Sequence, residues 1–310
     1  MDRKIAFIFS GQGSQYVGMG KELCERYSEC ERVFDYANQI LGKNIKDLCF
    51  KGDINELIKT SNTQPAIFTV EAAIYAVLCK YDIVPDVVAG FSLGEYAAFY
   101  ASGVFDLTTS FYLVNQRAKA MDMVSDSEKY AMSAITGENI DRIDELCTKF
   151  DNVWVANYNT QSQVSVTGEK ENIQKFMEYI VSLDYKARDI NVSGAFHSKY
   201  MKNAAEIYGK SIELVAYKEN KLPIILNLTG DYYDKDSDIR KIMQEQIYSP
   251  VKWHQSIELM IKDGIDTFIE IGPGRTLCNF VKKISDGRDI TALNVENMET
   301  LSNTIDQIYN

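Results

Sequence analysis

The chain is poor in the residues from which metal sites and disulfide frameworks are built. Among its 310 residues it has two histidines and six cysteines, and no two cysteines form a C-x-x-C pair. Without cysteines and histidines at ligand spacing, the sequence gives little support for a bound metal ion. Scattered cysteines in a chain of this size are typical of reduced, mostly buried thiols in a cytosolic protein. We therefore expect a cytoplasmic protein without a metal.

Positive charge and long apolar runs are also lacking. Lysine and arginine number 33 against 44 aspartates and glutamates, a net charge of −11 that disfavours a general nucleic-acid-binding surface. No apolar run is long enough to span a bilayer, and the N-terminus passes directly into a strand-like segment, so we expect no signal peptide. The remaining composition is that of a soluble globular protein with room for one large domain or two smaller ones.

The most informative feature present is the segment Gly90-Phe91-Ser92-Leu93-Gly94. An apolar run, residues 87–89, precedes it, and a helical pattern follows from Glu95. Strand, G-x-S-x-G and helix are the context of a nucleophile elbow, in which a tight turn exposes the serine at a helix N-terminus. The alternative is a glycine-rich turn in which the serine only caps the helix.

The rest of the pattern alternates strands with helices. Apolar runs at residues 5–9, 224–228 and 267–271 predict buried strands that end in turn residues, and residues 67–78 predict a core helix. This alternation predicts an α/β fold with a mainly parallel sheet covered by helices.

One stretch, between about residues 130 and 193, breaks this rhythm. Its patterns predict, in order, the elements strand 131–135, helix 140–150, strands 153–158 and 164–167, helix 173–180 and strand 187–192. The order β-α-β-β-α-β is that of a ferredoxin-like unit. We therefore expect a small inserted domain at residues 128–196, and a larger domain made of residues 1–127 and 197–310.

A serine nucleophile needs a base, and the chain offers only His197 and His254. His197 follows the last strand of the small domain, at the expected seam between the domains. His254 precedes a helical pattern and has the position of a helix-start residue. We favour His197 as the base.

Six motifs together resemble one enzyme family. In chain order they are Phe9-Ser10-Gly11-Gln12-Gly13-Ser14-Gln15, Thr63-Gln64-Pro65-Ala66, Gly90-Phe91-Ser92-Leu93-Gly94-Glu95, Gly194-Ala195-Phe196-His197-Ser198, Pro250-Val251-Lys252-Trp253 and Glu270-Ile271-Gly272-Pro273-Gly274. This ordered set, which covers nearly the whole chain, resembles the malonyl-CoA:acyl carrier protein transacylases, which feed fatty-acid and polyketide synthases. The resemblance implies an α/β-hydrolase-like domain with an inserted ferredoxin-like domain.

The resemblance also implies catalytic roles. Ser92 attacks the thioester carbonyl, with His197 as general base. The backbone amides of Gln12 and Leu93 hold the oxyanion. The main-chain carbonyl of Gln246 orients the imidazole in place of an aspartate.

Further positions match the substrate-binding residues of the family. Arg117 is expected to bind the free carboxylate of malonate, for which a planar guanidinium is well suited, although a lone arginine is more often a helix-surface residue. The other matching positions are Gln64, Met121 and Met132 beside the acyl pocket, and Asn159 and Gln163 in the segment that contacts coenzyme A. Core packing explains the two methionines equally well.

Two residues, each directly before Ser92 or His197 in the sequence, bear on which acyl group the site accepts. The family usually has histidine before the nucleophile, where this chain has Phe91, so a polar contact near the acyl carboxylate is replaced by apolar bulk. Phe196, before His197, matches the malonyl-type pattern and is expected to crowd out a methyl branch. One methyl is worth only about 1–3 kcal/mol of discrimination, so strict selectivity does not follow.

The resemblance implies a ping-pong transfer of malonyl from malonyl-CoA, through a malonyl-serine, to the phosphopantetheine thiol of an acyl carrier protein. It implies no cofactor, and a monomer as the usual state. Two alternatives are an editing hydrolase on the same fold and an inert docking protein of an assembly line. Arg117 argues against the first, and the joint presence of Ser92, His197, Gln12 and Arg117 argues against the second. Fatty-acid synthesis and a trans-acting polyketide role are both open.

Overall fold

The computed structural model describes residues 3–310. Its strands are β1 (Ile5–Phe9), β2 (Val87–Gly90), β3 (Tyr130–Thr136), β4 (Val153–Thr160), β5 (Gln163–Glu169), β6 (Lys186–Ile190), β7 (Ile224–Ile225), β8 (Thr267–Ile271) and β9 (Thr291–Val295). Its α-helices are α1 (Lys21–Arg26), α2 (Ser28–Leu41), α3 (Ile45–Lys51), α4 (Ile54–Leu57), α5 (Thr60–Lys80), α6 (Gly94–Ala101), α7 (Leu107–Met123), α8 (Ile143–Cys147), α9 (Lys170–Val181), α10 (Lys202–Ile212), α11 (Ile239–Gln246), α12 (Trp253–Lys262), α13 (Thr276–Ser285) and α14 (Met298–Tyr309). Short 3₁₀ turns occupy Ile140–Arg142 and Lys199–Met201.

A five-stranded parallel sheet lies at the centre of the molecule, in the order β7-β2-β1-β8-β9. Side chains alternate across a strand, and β1 therefore serves two cores. Phe7 and Phe9 pack into one core with α5, α6 and α7, whereas Ala6 and Ile8 pack into the other with α12 and α13. Because both faces are covered, β1 reads as a continuous apolar run, as expected for a buried parallel strand.

A second, antiparallel sheet has the order β4-β5-β3-β6. One face packs against α8 and α9 in an apolar core of its own, which includes Val166 and Phe176. A parallel bridge between Asn157 and Val251 ties β4 to the segment before α12. The amide of Tyr158 donates to the carbonyl of Val251 (2.9 Å), and the amide of Val251 donates to the carbonyl of Ala156 (2.9 Å). Backbone hydrogen bonds thus join the antiparallel sheet to the segment that precedes α12.

The mixed α/β architecture agrees with the sequence prediction, but several bounds differ. The strand predicted at 224–228 is only two residues long, since the Leu226 carbonyl accepts from the amide of Gly230 (2.8 Å) and the chain turns. The helix predicted at 140–150 begins as a 3₁₀ turn and ends at Cys147, and the strand predicted at 187–192 ends at Ile190. Strand β9 was not predicted.

Three further features of the molecule concern its cysteines, membrane-spanning helices and metal sites. All six cysteines are unpaired, five of them are buried, and Cys79 is exposed. Within residues 3–310, no helix combines the length and apolarity needed to cross a membrane. In the same part of the chain, no group of three or more His, Cys, Asp or Glu side chains is arranged to hold a metal ion.

Candidate active site

Ser92 lies at the tip of the sharp turn between β2 and α6, with φ of 53°. Only glycine fits on either side of this turn. A Cβ on Gly90 would lie 1.9 Å from the Gly94 carbonyl carbon, and a Cβ on Gly94 would lie 2.2 Å from the Phe9 carbonyl oxygen. The left-handed backbone of Ser92 is a strained conformation that the tight packing of β1, β2 and α6 maintains. This is the geometry of a nucleophile elbow.

Asn227 braces the elbow from the turn that follows β7. Its Oδ1 accepts from the Ser92 amide (2.7 Å) and its Nδ2 donates to the Gly90 carbonyl (2.6 Å). The amide of Asn227 in turn donates to Oε1 of the fully buried Glu95 (2.6 Å). Burial raises the pKa of Glu95 to about 7, and the hydrogen bond from the Asn227 amide opposes this rise. Sequence reasoning missed Asn227, because no local pattern distinguishes it from any other turn residue.

His197 is the histidine that the fold brings to the serine. Its Nε2 lies 2.7 Å from Ser92 Oγ, while its Nδ1 lies 3.0 Å from the carbonyl oxygens of both Gln246 and Ser249. Two carbonyl acceptors at Nδ1 favour the tautomer with a proton there, which leaves Nε2 free to accept from the hydroxyl. The Ser249 carbonyl was not predicted. His254 lies away from this cluster, half-buried and 3.9 Å from Glu258.

Arg117 of α7 also contacts Ser92. Its NH2 donates to Ser92 Oγ (3.1 Å) and to Gln246 Oε1 (3.1 Å), and its NH1 donates to Gln64 Oε1 (2.8 Å). The side chain is buried, and its Nε has no partner within the described residues. Burial, together with the positive charge of Arg117, lowers the pKa of His197 to about 4, so the imidazole is neutral at ordinary pH.

The glycine loop after β1 lies against the elbow. A Cβ on Gly11 would lie 2.8 Å from the Phe91 carbonyl oxygen, so the absence of a side chain lets the two turns touch. Within residues 3–310, the backbone amides of Gln12 and Leu93 donate no hydrogen bond. Two free amides on adjoining turns beside the nucleophile are suited to an oxyanion hole.

A cavity of about 430 Å³ opens onto Ser92 between the two sheets. The sequence-predicted residues that line it are Gln12, Phe91, Ser92, Arg117, Met121, Met132, Asn159, Gln163, Phe196 and His197. Gln64, Leu93 and Gln246 are not among its lining residues. Gln64 and Gln246 instead lie behind Arg117 as its hydrogen-bond acceptors. The fold therefore gathers all the predicted residues around one cavity, either on its wall or directly behind it.

Comparison with known proteins assigns this site to a family. Residues 6–302 match the family model described as acyl transferase domain. The malonyl CoA-acyl carrier protein transacylase of Bacillus subtilis strain 168 is 37% identical over 303 residues, which cover 96% of this chain and 95% of that protein. The chain belongs to the acyl transferase family.

Solved structures agree with this assignment of the acyltransferase. The malonyl CoA-acyl carrier protein transacylase of Clostridium perfringens matches with a TM-score of 0.94 at 35% identity, over 98% of this chain and 97% of that one. A malonyl-transacylase in complex with its type II polyketide-synthase acyl-carrier protein matches with a TM-score of 0.93 at 30% identity, over 98% and 99% of the two chains. Both matches extend over both sheets.

Phe91 of the acyltransferase lies on the cavity wall, and its ring packs on other aromatic rings. The centroid of the Phe91 ring is 5.4 Å from that of Trp253, in an edge-to-face arrangement, and 6.3 Å from that of Phe280. These contacts direct much of its apolar surface into the core beneath α12 and α13. Phe91 thus supplies an apolar wall beside the nucleophile.

Two cationic residues on the cavity wall were not predicted from sequence. Arg188 of β6 and Lys283 of α13 are exposed and both line the cavity. Neither forms an ion pair with a described residue. The signal that could have indicated them was their basic character, but the chain contains 33 lysines and arginines, so charge alone does not single them out.

Proposed function

We propose that this acyltransferase moves a malonyl group from malonyl-CoA to the phosphopantetheine thiol of an acyl carrier protein, through an ester on Ser92. The observation that carries the proposal is the Arg117 guanidinium, which is buried beside Ser92 Oγ with only neutral hydrogen-bond acceptors. No carboxylate of the described residues accepts a hydrogen bond from this buried cation, so the site favours an acyl group that brings its own carboxylate. The names of the relatives support malonyl-CoA as donor and carrier protein as acceptor.

The first half-reaction forms the acyl-enzyme. The Ser92 hydroxyl gives its proton to His197 Nε2 as Oγ bonds to the thioester carbonyl carbon. The developing oxyanion accepts hydrogen bonds from the amides of Gln12 and Leu93. The carbon–sulfur bond then breaks, and His197 returns the proton to the coenzyme A sulfur.

The second half-reaction runs the same steps with the other thiol. The phosphopantetheine thiol gives its proton to His197 while its sulfur attacks the ester carbonyl. The bond to Ser92 Oγ breaks, and the proton moves from His197 to the serine. The carbonyls of Gln246 and Ser249 hold the imidazolium that forms in each half-reaction.

We further propose roles for the other cavity residues and for the architecture. Met121, Met132 and Phe196 enclose the space for the acyl group, while Asn159 and Gln163 contact the pantetheine arm. The order of elements and strands supports a ferredoxin-like insert at 128–196 within an α/β-hydrolase-like domain of residues 1–127 and 197–310. The unpaired cysteines support a cytoplasmic location. The lining of the cavity by residues of one chain supports a monomer. We propose no cofactor.

Intact-protein mass spectrometry tests the transfer. We expect malonyl-CoA to add one malonyl mass to the wild type and none to Ser92→Ala. Arg117→Ala should load malonyl at least tenfold more slowly, because the carboxylate loses its bidentate partner. Arg32→Ala, which removes an exposed arginine, is the matched control and should load as the wild type does.

Adding a carrier protein with its phosphopantetheine arm should then move the malonyl mass from enzyme to carrier. Release of free malonate without any malonyl-carrier would instead favour the editing hydrolase. No adduct from either malonyl-CoA or acetyl-CoA would favour the docking protein.

A further inference from the structure

Two glutamine carboxamides hold the Arg117 guanidinium. Gln64 Oε1 accepts from NH1 (2.8 Å), and Gln246 Oε1 accepts from NH2 (3.1 Å). The Tyr96 ring lies 5.3 Å from the guanidinium carbon. No aspartate or glutamate side chain of the described residues pairs with Arg117. Its direction therefore depends on neutral acceptors. Its charge also acts on the buried Glu95 carboxyl, whose pKa it lowers against the effect of burial.

The Gln246 side chain also bonds to the nucleophile's own backbone. Its Nε2 donates to the Ser92 carbonyl at 2.7 Å, while its Oε1 accepts from Arg117. One carboxamide thus joins the guanidinium to the residue that attacks the thioester. This contact is separate from the main-chain carbonyl of Gln246, which accepts from His197.

We infer that the Gln246 side chain is a positioning residue for specificity, which holds Arg117 at the distance from Ser92 that selects acyl donors with a free carboxylate. The inference rests on the proposed malonyl transfer. When the carboxylate of malonate is held by Arg117, the thioester carbonyl must lie at Ser92 Oγ. A carboxamide that bonds to both Arg117 and Ser92 fixes the distance between the carboxylate site and the attacking oxygen. It therefore favours malonyl over acetyl, which has no carboxylate for Arg117 to hold.

The charge and shape of glutamine suit this role better than those of glutamate or methionine. A glutamate would form an ion pair with Arg117, compete with the substrate carboxylate and lose the hydrogen bond to the Ser92 carbonyl. A methionine has similar length but neither hydrogen bond. Because Gln246 is the last residue of α11, either substitution leaves its main-chain carbonyl available to His197.

The experiment compares loading of malonyl and acetyl groups by Gln246→Met, Gln246→Glu and the wild type, with kcat and KM measured for each donor. The expected result is a malonyl-to-acetyl ratio of kcat/KM that falls at least tenfold in both variants, and further in Gln246→Glu. Gln244→Met is the matched control. Gln244 lies on the same helix, but its side chain donates to the Ala205 carbonyl, away from the site, so the ratio should not change.

Equal losses for both donors, or an unchanged ratio, would overturn the inference, since a structural role or the His197 contact alone affects both donors alike. Should Gln246→Met fail to fold by circular dichroism, Gln246→Asn keeps a polar group that is too short to reach Arg117, and the same fall in ratio is expected. A wild type that loads no malonyl would instead overturn the proposed function. A wild type that loads malonyl, with an unchanged ratio in the variants, would overturn only the role of Gln246.

Discussion

Ser92 Oγ takes part in two hydrogen bonds that differ in direction. It donates to His197 Nε2 and accepts from Arg117 NH2, so the hydroxyl is directed at the base while a cation stands beside the oxygen. The same cation disfavours a second positive charge on His197. Single residues at this site therefore serve two purposes. The group proposed to bind the substrate also helps to keep the proposed base, His197, neutral.

The pKa of His197, lowered to about 4 by burial and by Arg117, predicts a wide pH range of activity. A general base must be neutral, so kcat/KM for malonyl loading should be level from pH 8 to about pH 5.5. It should fall only as the pH approaches the pKa and His197 takes up a proton. In Arg117→Ala, measured with acetyl-CoA, the inflection should move to higher pH, because the repelling charge is gone while the burial remains.

Proton NMR of the imidazole rings checks this directly. The chain has only two histidines, so His254→Asn leaves the His197 signal alone. An inflection near 6.5, the usual histidine value, would contradict the structural account of the base.

At the scale of elements, the elbow depends on how closely α6 approaches β1. The Gly94 Cα faces the carbonyls of Phe9 and Ser10, which would lie 2.2 and 2.6 Å from any added Cβ. Backbone atoms cannot move aside as a flexible side chain can. The motif glycine therefore sets the distance between helix and sheet, and with it the placement of the free amides beside Ser92.

Gly94→Ala should lower the free energy of unfolding by about 3 kcal/mol or more, because α6 must move away from β1. Urea denaturation measures the change. Gly287→Ala is the control, since its position is open but has a φ of 80°, and only about 1 kcal/mol of backbone strain is expected there. Similar losses in the two variants would show that packing at the elbow is not the reason for the glycine.

At the scale of the whole molecule, the site lies where two sheets with separate cores meet. The turn after β2 of the parallel sheet supplies Ser92, and the antiparallel sheet supplies Asn159 and Gln163 to the lining of the same cavity. The antiparallel sheet packs its other face on a core of its own, which includes Phe176. Stability of that small core is therefore expected to affect substrate binding without altering the nucleophile.

Phe176→Ala should cost about 3–5 kcal/mol by opening a cavity in the small core. Amide hydrogen exchange should quicken in β3–β6 more than in β1, and the KM for malonyl-CoA should rise while single-turnover acylation at saturation changes little. Val181→Ala removes an exposed side chain from the same helix and should have almost no effect. Equal loosening of both sheets would show that the small core is not an independent unit.

Much of this could be predicted from sequence, because the signals are local. The strand before Ser92, the glycines around it and the helix after it lie within about fifteen residues, so the elbow has a readable pattern. The four strands of the antiparallel sheet and the two helices packed on it follow from their apolar periodicity. The errors in their prediction lie at the ends of these elements. The length of strand β7 was overestimated, because the residue types of Leu226 and Asn227 do not reveal that the chain turns there. That turn depends on the contacts of Asn227 with Ser92 and of Leu226 with Gly230.

The sequence by itself determined the kind of chemistry: one serine at an elbow, two histidines to choose from, and an ordered set of motifs that resembles one family. Only the tertiary structure decided which atoms meet. His197 lies 105 positions from Ser92, Asn227 lies 135, and Gln246 lies 154, and no local periodicity encodes contacts over such separations. The neutral hydrogen-bond partners of Arg117 and the low pKa of His197 also depend on packing and burial, which are properties of the folded molecule and not of any segment.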